Sequence, residues 1–131
     1  MKPYQVRSAG SVLAALCLAA LLASAEARSA GAMGALAVDS AQGAGWGASW
    51  NHPSRASAAR GARAKCGSQC TIVLYFWNAC GAWAADQTPG STVSGWGIAY
   101  SVAAARSEAL RQCRKRGGSA CQARVWACEA R

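Results

Sequence analysis

The landmark residues of this chain occur twice, in the same order. Gly34-Ala35-Leu36-Ala37-Val38-Asp39 is matched by Gly81-Ala82-Trp83-Ala84-Ala85-Asp86, and Gly45-Trp46-Gly47 by Gly95-Trp96-Gly97. An Ala/Arg-rich stretch follows in each copy and runs to Cys66 or to Cys113. Cys70 or Cys121 then opens an apolar run that reaches Cys80 or Cys128. A repeat of this size is one supersecondary unit that cannot bury its apolar face alone, so the two copies must bury theirs together. The repeats, about 33–80 and 81–128, therefore make one domain spanning 33–131.

Each copy reads as strand, strand, helix, strand. The Gly-Ala-x-Ala-x-Asp segment and the Gly-Trp-Gly segment flank a turn-rich stretch and form a hairpin. Ala58, Ala59, Ala62 and Cys66 share one helical face, as do Val102, Ala105, Ala109 and Cys113. Ser54 is placed to cap the first helix, and Gly117-Gly118 to end the second. Thr71 to Trp77 is β-branched and aromatic, and Gln122 to Trp126 is its counterpart. The predicted fold class is α+β: two ββαβ repeats with pseudo-twofold symmetry, in which two helices cover a mainly antiparallel sheet.

The ends and the cysteines set the compartment. Lys2 and Arg7 precede an apolar run from Val12 to Ala23, and Ala23-Ser24-Ala25 supplies a small-residue cleavage site before Glu26. Residues 1–25 are thus predicted to be a signal peptide and 26–32 a loose tail. The run is shorter than the ~20 residues that span a bilayer, and Leu16 before Cys17 argues against lipidation. No integral membrane span is expected after processing, and the protein is expected to be exported, to the periplasm or beyond.

Of the 7 cysteines, all but Cys17 fall in the predicted mature chain. An even set in an exported chain points to disulfides rather than zinc, because His52 is distant from the one close pair. Repeat symmetry suggests Cys66–Cys70, Cys113–Cys121 and Cys80–Cys128, the last joining the two repeats. Pairing of Cys66 with Cys113 is also symmetric and is the alternative.

The string Cys70…Phe76-Trp77-Asn78-Ala79-Cys80-Gly81-Ala82-Trp83-Ala84, the Ala…Ala…Cys helices and the repeated Gly-Ala start resemble the exported bacterial domain of unknown function 4189 family. The resemblance covers about Ala32 to Cys128. It implies a secreted, Cys-rich domain and carries over no catalytic residue and no cofactor.

The residues themselves give little chemistry. Paired cysteines offer no thiolate, and His52, between Asn51 and Pro53, reads as a turn residue. Asp39 and Asp86 occupy matching places and are weak candidates for the two carboxylates of a glycoside hydrolase. The competing readings are that each caps a turn, or that one neutralises Arg106. No metal-ligand set is expected.

Binding is better supported. The formal net charge is +9, which favours acidic partners: an acidic protein, an anionic envelope surface, or nucleic acid. Arg111, Arg114, Lys115 and Arg116 cluster at the end of the second helix, with Arg124 on the next strand, so a lopsided field is expected. Trp46 and Trp96, and approximately Phe76 and Trp126, are repeat partners and are expected in the core. Trp50, Trp77 and Trp83 have no aromatic partner, so Trp77 and Trp83 are added to the candidate patch. The function expected is a small basic binding or interaction module, such as an effector or an inhibitor of an envelope or host target. A cell-wall glycan hydrolase and a passive envelope protein are the alternatives.

Overall fold

The computed structural model describes residues 31–129; the predicted signal peptide, Cys17 and residues 26–30 of the predicted tail lie outside the described residues. The chain forms β1 (Met33–Val38), β2 (Trp46–His52), α1 (Arg55–Cys66), β3 (Thr71–Trp77), β4 (Cys80–Asp86), β5 (Ser94–Ala99), α2 (Val102–Lys115) and β6 (Cys121–Cys128). This is ββαβ twice, as predicted. The two helices start alike. Ser54 Oγ accepts from Ser57 N at 3.2 Å, and Ser101 Oγ accepts from Ala104 N at 3.1 Å, each satisfying a backbone donor that the first turn leaves open. Gly117, at φ 99°, turns the chain out of α2 in a conformation that favours glycine.

All strand pairs are antiparallel. The strands divide into two three-stranded sheets, ordered β2-β1-β3 and β5-β4-β6, rather than continuing as one. The reason lies in the central strands, which are apolar on both faces. Along β1, Ala35 and Ala37 meet Ala58 and Ala62 of α1. The alternate residues Leu36 and Val38 join Trp83, Ala85 and Val125 of the other sheet. Along β4, Ala82 and Ala84 meet Ala105, Ala109 and Cys113 of α2. Each sheet therefore needs a cover on both sides, and the order becomes helix, sheet, sheet, helix.

The helix-facing contacts are made of very small residues. A Cβ at Gly47 would fall against the Ala62 carbonyl and 2.8 Å from Cys66 N. One at Gly97 would fall against the Ala105 carbonyl and 2.8 Å from Ala109 N. These glycines let helix backbone rest on strand backbone.

Cys66–Cys70 and Cys113–Cys121 tie each helix end to the strand that follows. Cys80–Cys128 is also formed. Its placement differs from expectation: Cys80 opens β4 rather than ending β3, and it sits opposite Cys128 in the β4–β6 register. With Cα atoms 3.9 Å apart, this bridge lies inside the second sheet. The two repeats are joined instead by the core between the sheets and by seam hydrogen bonds. Gln42 Nε2 donates to Ser91 O at 2.6 Å, Gln87 Nε2 to Gln42 O at 3.0 Å, and Asn51 N to Glu129 Oε2 at 2.7 Å.

Candidate functional site

The matched carboxylates serve turns. Asp39 accepts from Ser40 Oγ at 2.9 Å, and its own N–H donates to Gly45 O at 3.0 Å, closing the β1–β2 hairpin. The backbone at Gly45, and then Ser40, hold its carboxyl below the usual range. Asp86 is buried at 4 % exposure and accepts from Ala120 N at 2.8 Å and Thr88 Oγ1 at 3.0 Å. Hydrogen bonding from Ser91, with Ala120 and Thr88, holds its carboxyl below the usual range as well. A glycosidase acid needs its pKa raised so that it carries a proton to deliver; both aspartates are shifted the other way. Nor does Asp86 neutralise Arg106, which lies over Trp126. His52 ends β2 rather than standing in a turn, and its ring packs beside Gly61 of α1.

A depressed carboxyl pKa stabilises the fold above the group's ordinary value near 3.8, and that contribution is lost as pH falls through the folded-state value. The urea midpoint of the wild type should therefore drop steeply below about pH 4. Asp86→Asn should lower the midpoint at pH 7 and flatten the acid drop. A variant that keeps the wild-type acid slope would refute the assignment.

Strand position, not repeat matching, decides which aromatics are buried. Trp83 lies on central β4, covered by the other sheet, and is 4 % exposed. It is therefore a core residue and not part of a surface patch. Trp96 stands directly opposite it in the register but on edge strand β5, and is 45 % exposed. Trp46 on edge strand β2 is exposed too. Both repeat-matched tryptophans thus stand out from the core. Tyr75 faces Ala35 as Trp126 faces Ala82, and Phe76 faces Gly34 as Ala127 faces Gly81. The true counterpart of Trp126 is Tyr75. Phe76 is buried while Trp126 is exposed.

Each helix sends a cation over an aromatic on both of its flanking edge strands. From α1, Arg55 lies 4.8 Å from the Tyr75 ring centre on β3, and Lys65 lies 4.2 Å from that of Trp50 on β2. Arg106 of α2 lies 4.1 Å from Trp126 on β6, and Arg116, just past α2, lies 4.1 Å from Trp96 on β5. Each stack contributes about 0.5–1 kcal/mol at an exposed site. Sequence reasoning missed these pairs because the partners sit on different elements; the only trace was an aromatic on each edge strand and a cation near each helix end.

The predicted basic cluster is partly dispersed. Arg111 forms two hydrogen bonds to Glu108, at 2.9 and 2.6 Å. That contact holds the Glu108 carboxyl below its usual range and raises Arg111. It also offsets part of the expected lopsided field. Arg124 donates to Gly43 O across the seam at 3.2 Å, which ties its side chain to the other repeat. Arg114 and Lys115 are exposed on the last turn of α2. Arg116 donates to Ser94 O at 3.1 Å while stacked on Trp96.

Two grooves meet at Ile98, which is 51 % exposed. One, of about 600 Å³, runs between β5 and the Ala104, Glu108, Gln112, Arg116 stripe beside α2. The other, of about 320 Å³, is lined by Arg55, Tyr75 and Trp77 as well as Ile98. Trp77, 59 % exposed, is thus joined to Arg116 through Ile98 and Trp96, two residues the sequence reading left out of the patch.

A family model described as Domain of unknown function (DUF4189) matches residues 33–128. Neither a curated protein nor a solved structure matches the chain.

Proposed function

This chain belongs to the DUF4189 family, grouped as a domain of unknown function, and on that footing we propose that it is an exported binding module that holds an acidic partner protein on its aromatic and cationic rim. The observation that carries this reading is the set of exposed tryptophans with cations stacked on them, Trp50, Trp96 and Trp126. Large aromatics that stay half in water at sheet edges gain from being covered by a partner. A guanidinium held flat on an indole keeps its N–H groups aimed outward in a fixed plane, which suits carboxylates. Trp and Arg are also the side chains that dominate binding energy in protein interfaces. Three disulfides keep the scaffold stiff, so little ordering cost is incurred on binding. Among the described residues no helix is long and apolar enough to cross a membrane. The disulfides fit the oxidising compartments beyond the cytoplasm.

The test is retention on immobilised polyglutamate across a salt series. Wild type should be held at low salt and released as sodium chloride rises, since exposed charges are screened within ~10 Å at 0.1 M. A folded Arg114→Ser, Lys115→Ser, Arg116→Ser variant should elute at clearly lower salt. Equal elution of the two proteins would remove this end of the domain from the reading. Stronger retention on phosphatidylglycerol vesicles than on polyglutamate would replace the acidic protein by an anionic surface.

A further inference from the structure

The outer edge of β5 differs from the other described sheet edges in its register. Asp86 N donates to Val93 O at 2.9 Å, and the β4–β5 register runs unbroken from Ala85↔Ser94 to Cys80↔Ala99. Backbone pairing alternates along an antiparallel ladder. Val93, Gly95, Gly97 and Ala99 therefore turn their N–H and C=O groups to β4, while Ser94, Trp96 and Ile98 turn theirs outward. Arg116 confirms the direction by donating to the Ser94 carbonyl. Each of the other three strand pairings contains a register shift. Such shifts kink a strand and blunt it as a template. Among the described residues only β5 offers a regular edge.

The edge also has walls. The stripe Ala104, Glu108, Gln112, Arg116 runs beside it and forms the groove of about 600 Å³. That stripe is about 18 Å long at the helical rise per residue, the length of about five extended residues. Trp96 and Ile98 expose their side chains along the same edge. In the middle of the groove Glu108 is neutralised by Arg111. At the Ser94 end Arg116 stands with Arg114 and Lys115 close by in the chain, leaving that end basic.

Resting on the binding reading above, we propose that β5 takes up an extended, acidic segment of the partner protein as a fourth strand of the second sheet. The N–H and C=O groups of Trp96 and Ile98 pair with the incoming backbone. Apolar side chains on alternate residues cover Trp96 and Ile98. A carboxylate at the Ser94 end meets Arg116. Main-chain pairing supplies the affinity, and the pockets and the terminal charge supply the selection.

The probe is a short synthetic peptide of alternating Val and Thr with Glu at each end. On binding, the Trp96 and Ile98 amides should become protected from hydrogen exchange. Ile98→Pro removes an outward-facing donor, which an edge strand tolerates, and should weaken binding about tenfold relative to Ile98→Ala, which also loses the isoleucine side chain but keeps the donor, the loss expected for ~1.4 kcal/mol. N-methylating the peptide at alternate residues should weaken binding similarly with the wild-type protein, whatever the folding of the variant. Replacing Glu by Gln in the peptide should also weaken binding, and Arg116→Gln should erase that difference. Failure of the peptide to bind would overturn the proposal. So would binding that leaves both amides exchanging as before or that is indifferent to Ile98→Pro and to N-methylation. Any of these results alongside intact retention on polyglutamate would reject strand addition while leaving the functional reading in place. Protection of the same amides at high protein concentration without peptide would assign the edge to a second copy of this chain and overturn the partner-segment assignment.

Discussion

Gly97→Ala should be among the most damaging single changes in the domain, although it adds one methyl group. The new Cβ would fall against the Ala105 carbonyl, 2.7 Å from Glu108 Cβ and 2.8 Å from Ala109 N. Two of these atoms are helix backbone and cannot swing aside. The helix must rise from its sheet, which opens the contacts of Ala105, Ala109 and Cys113 with Ala82 and Ala84. Overpacking a dense core costs about 1–3 kcal/mol and occasionally more, and here the upper end or beyond is expected because no side chain can absorb the strain. A domain of this size has a stability on the order of 5–15 kcal/mol, so the loss is a large share. Gly90→Ala is the control, because nothing lies within 4 Å of a Cβ there. Its φ of 79° brings only the smaller backbone cost of a left-handed conformation. Urea unfolding at equal protein concentration compares the two. Similar midpoints would show that α2 is not held by close backbone approach.

Removing the Cys80–Cys128 bridge should cost more than removing either of the others. It spans 48 residues, against 4 for Cys66–Cys70 and 8 for Cys113–Cys121. Closing a longer loop removes more freedom from the unfolded chain, about 4 kcal/mol for the long bridge against about 2 kcal/mol for the shortest. The bridge also fastens the two ends of β4 and β6 in register, beside Glu129, whose N–H donates to Ala79 O at 3.0 Å. Cys80→Ala with Cys128→Ala should therefore lower the urea midpoint well below that of Cys66→Ala with Cys70→Ala. The reverse order would mean that the short bridges act on the folded state rather than on the unfolded chain.

The repeat made much of this fold legible. Its landmarks placed the six strands and two helices of the described residues and the Ser54 cap, and favoured the pairing of the three bridges though not the position of Cys80 at the start of β4, because each depends on neighbours close in sequence or on a symmetric counterpart. The division into two sheets was harder to read. It follows from both faces of β1 and β4 being apolar, and small residues such as Ala35, Ala37, Ala82 and Ala84 look alike whether they meet a helix or another sheet. The binding surface was least legible. Trp83 and Trp96 are adjacent in space and similar in context, yet one is covered and the other is not, since only one sits on a central strand. The stacks of Arg106 on Trp126 and of Arg116 on Trp96 depend on where helix ends cross strand edges, which no spacing along the chain encodes. Arg124 read as part of a basic cluster because its partner, the Gly43 carbonyl, belongs to the other repeat.

The claim that the exposed, cation-covered aromatics form the contact surface is tested most directly by the indole N–H signals in an NMR titration with polyglutamate. The chain has 6 tryptophans, and Trp83 serves as the buried internal reference. The signals of Trp96, Trp126 and Trp50 should shift with a common affinity that weakens as salt rises, while that of Trp83 stays in place. Polyglutamate binding that leaves those three signals unmoved, or that moves Trp83 as much as the rest, would contradict the account.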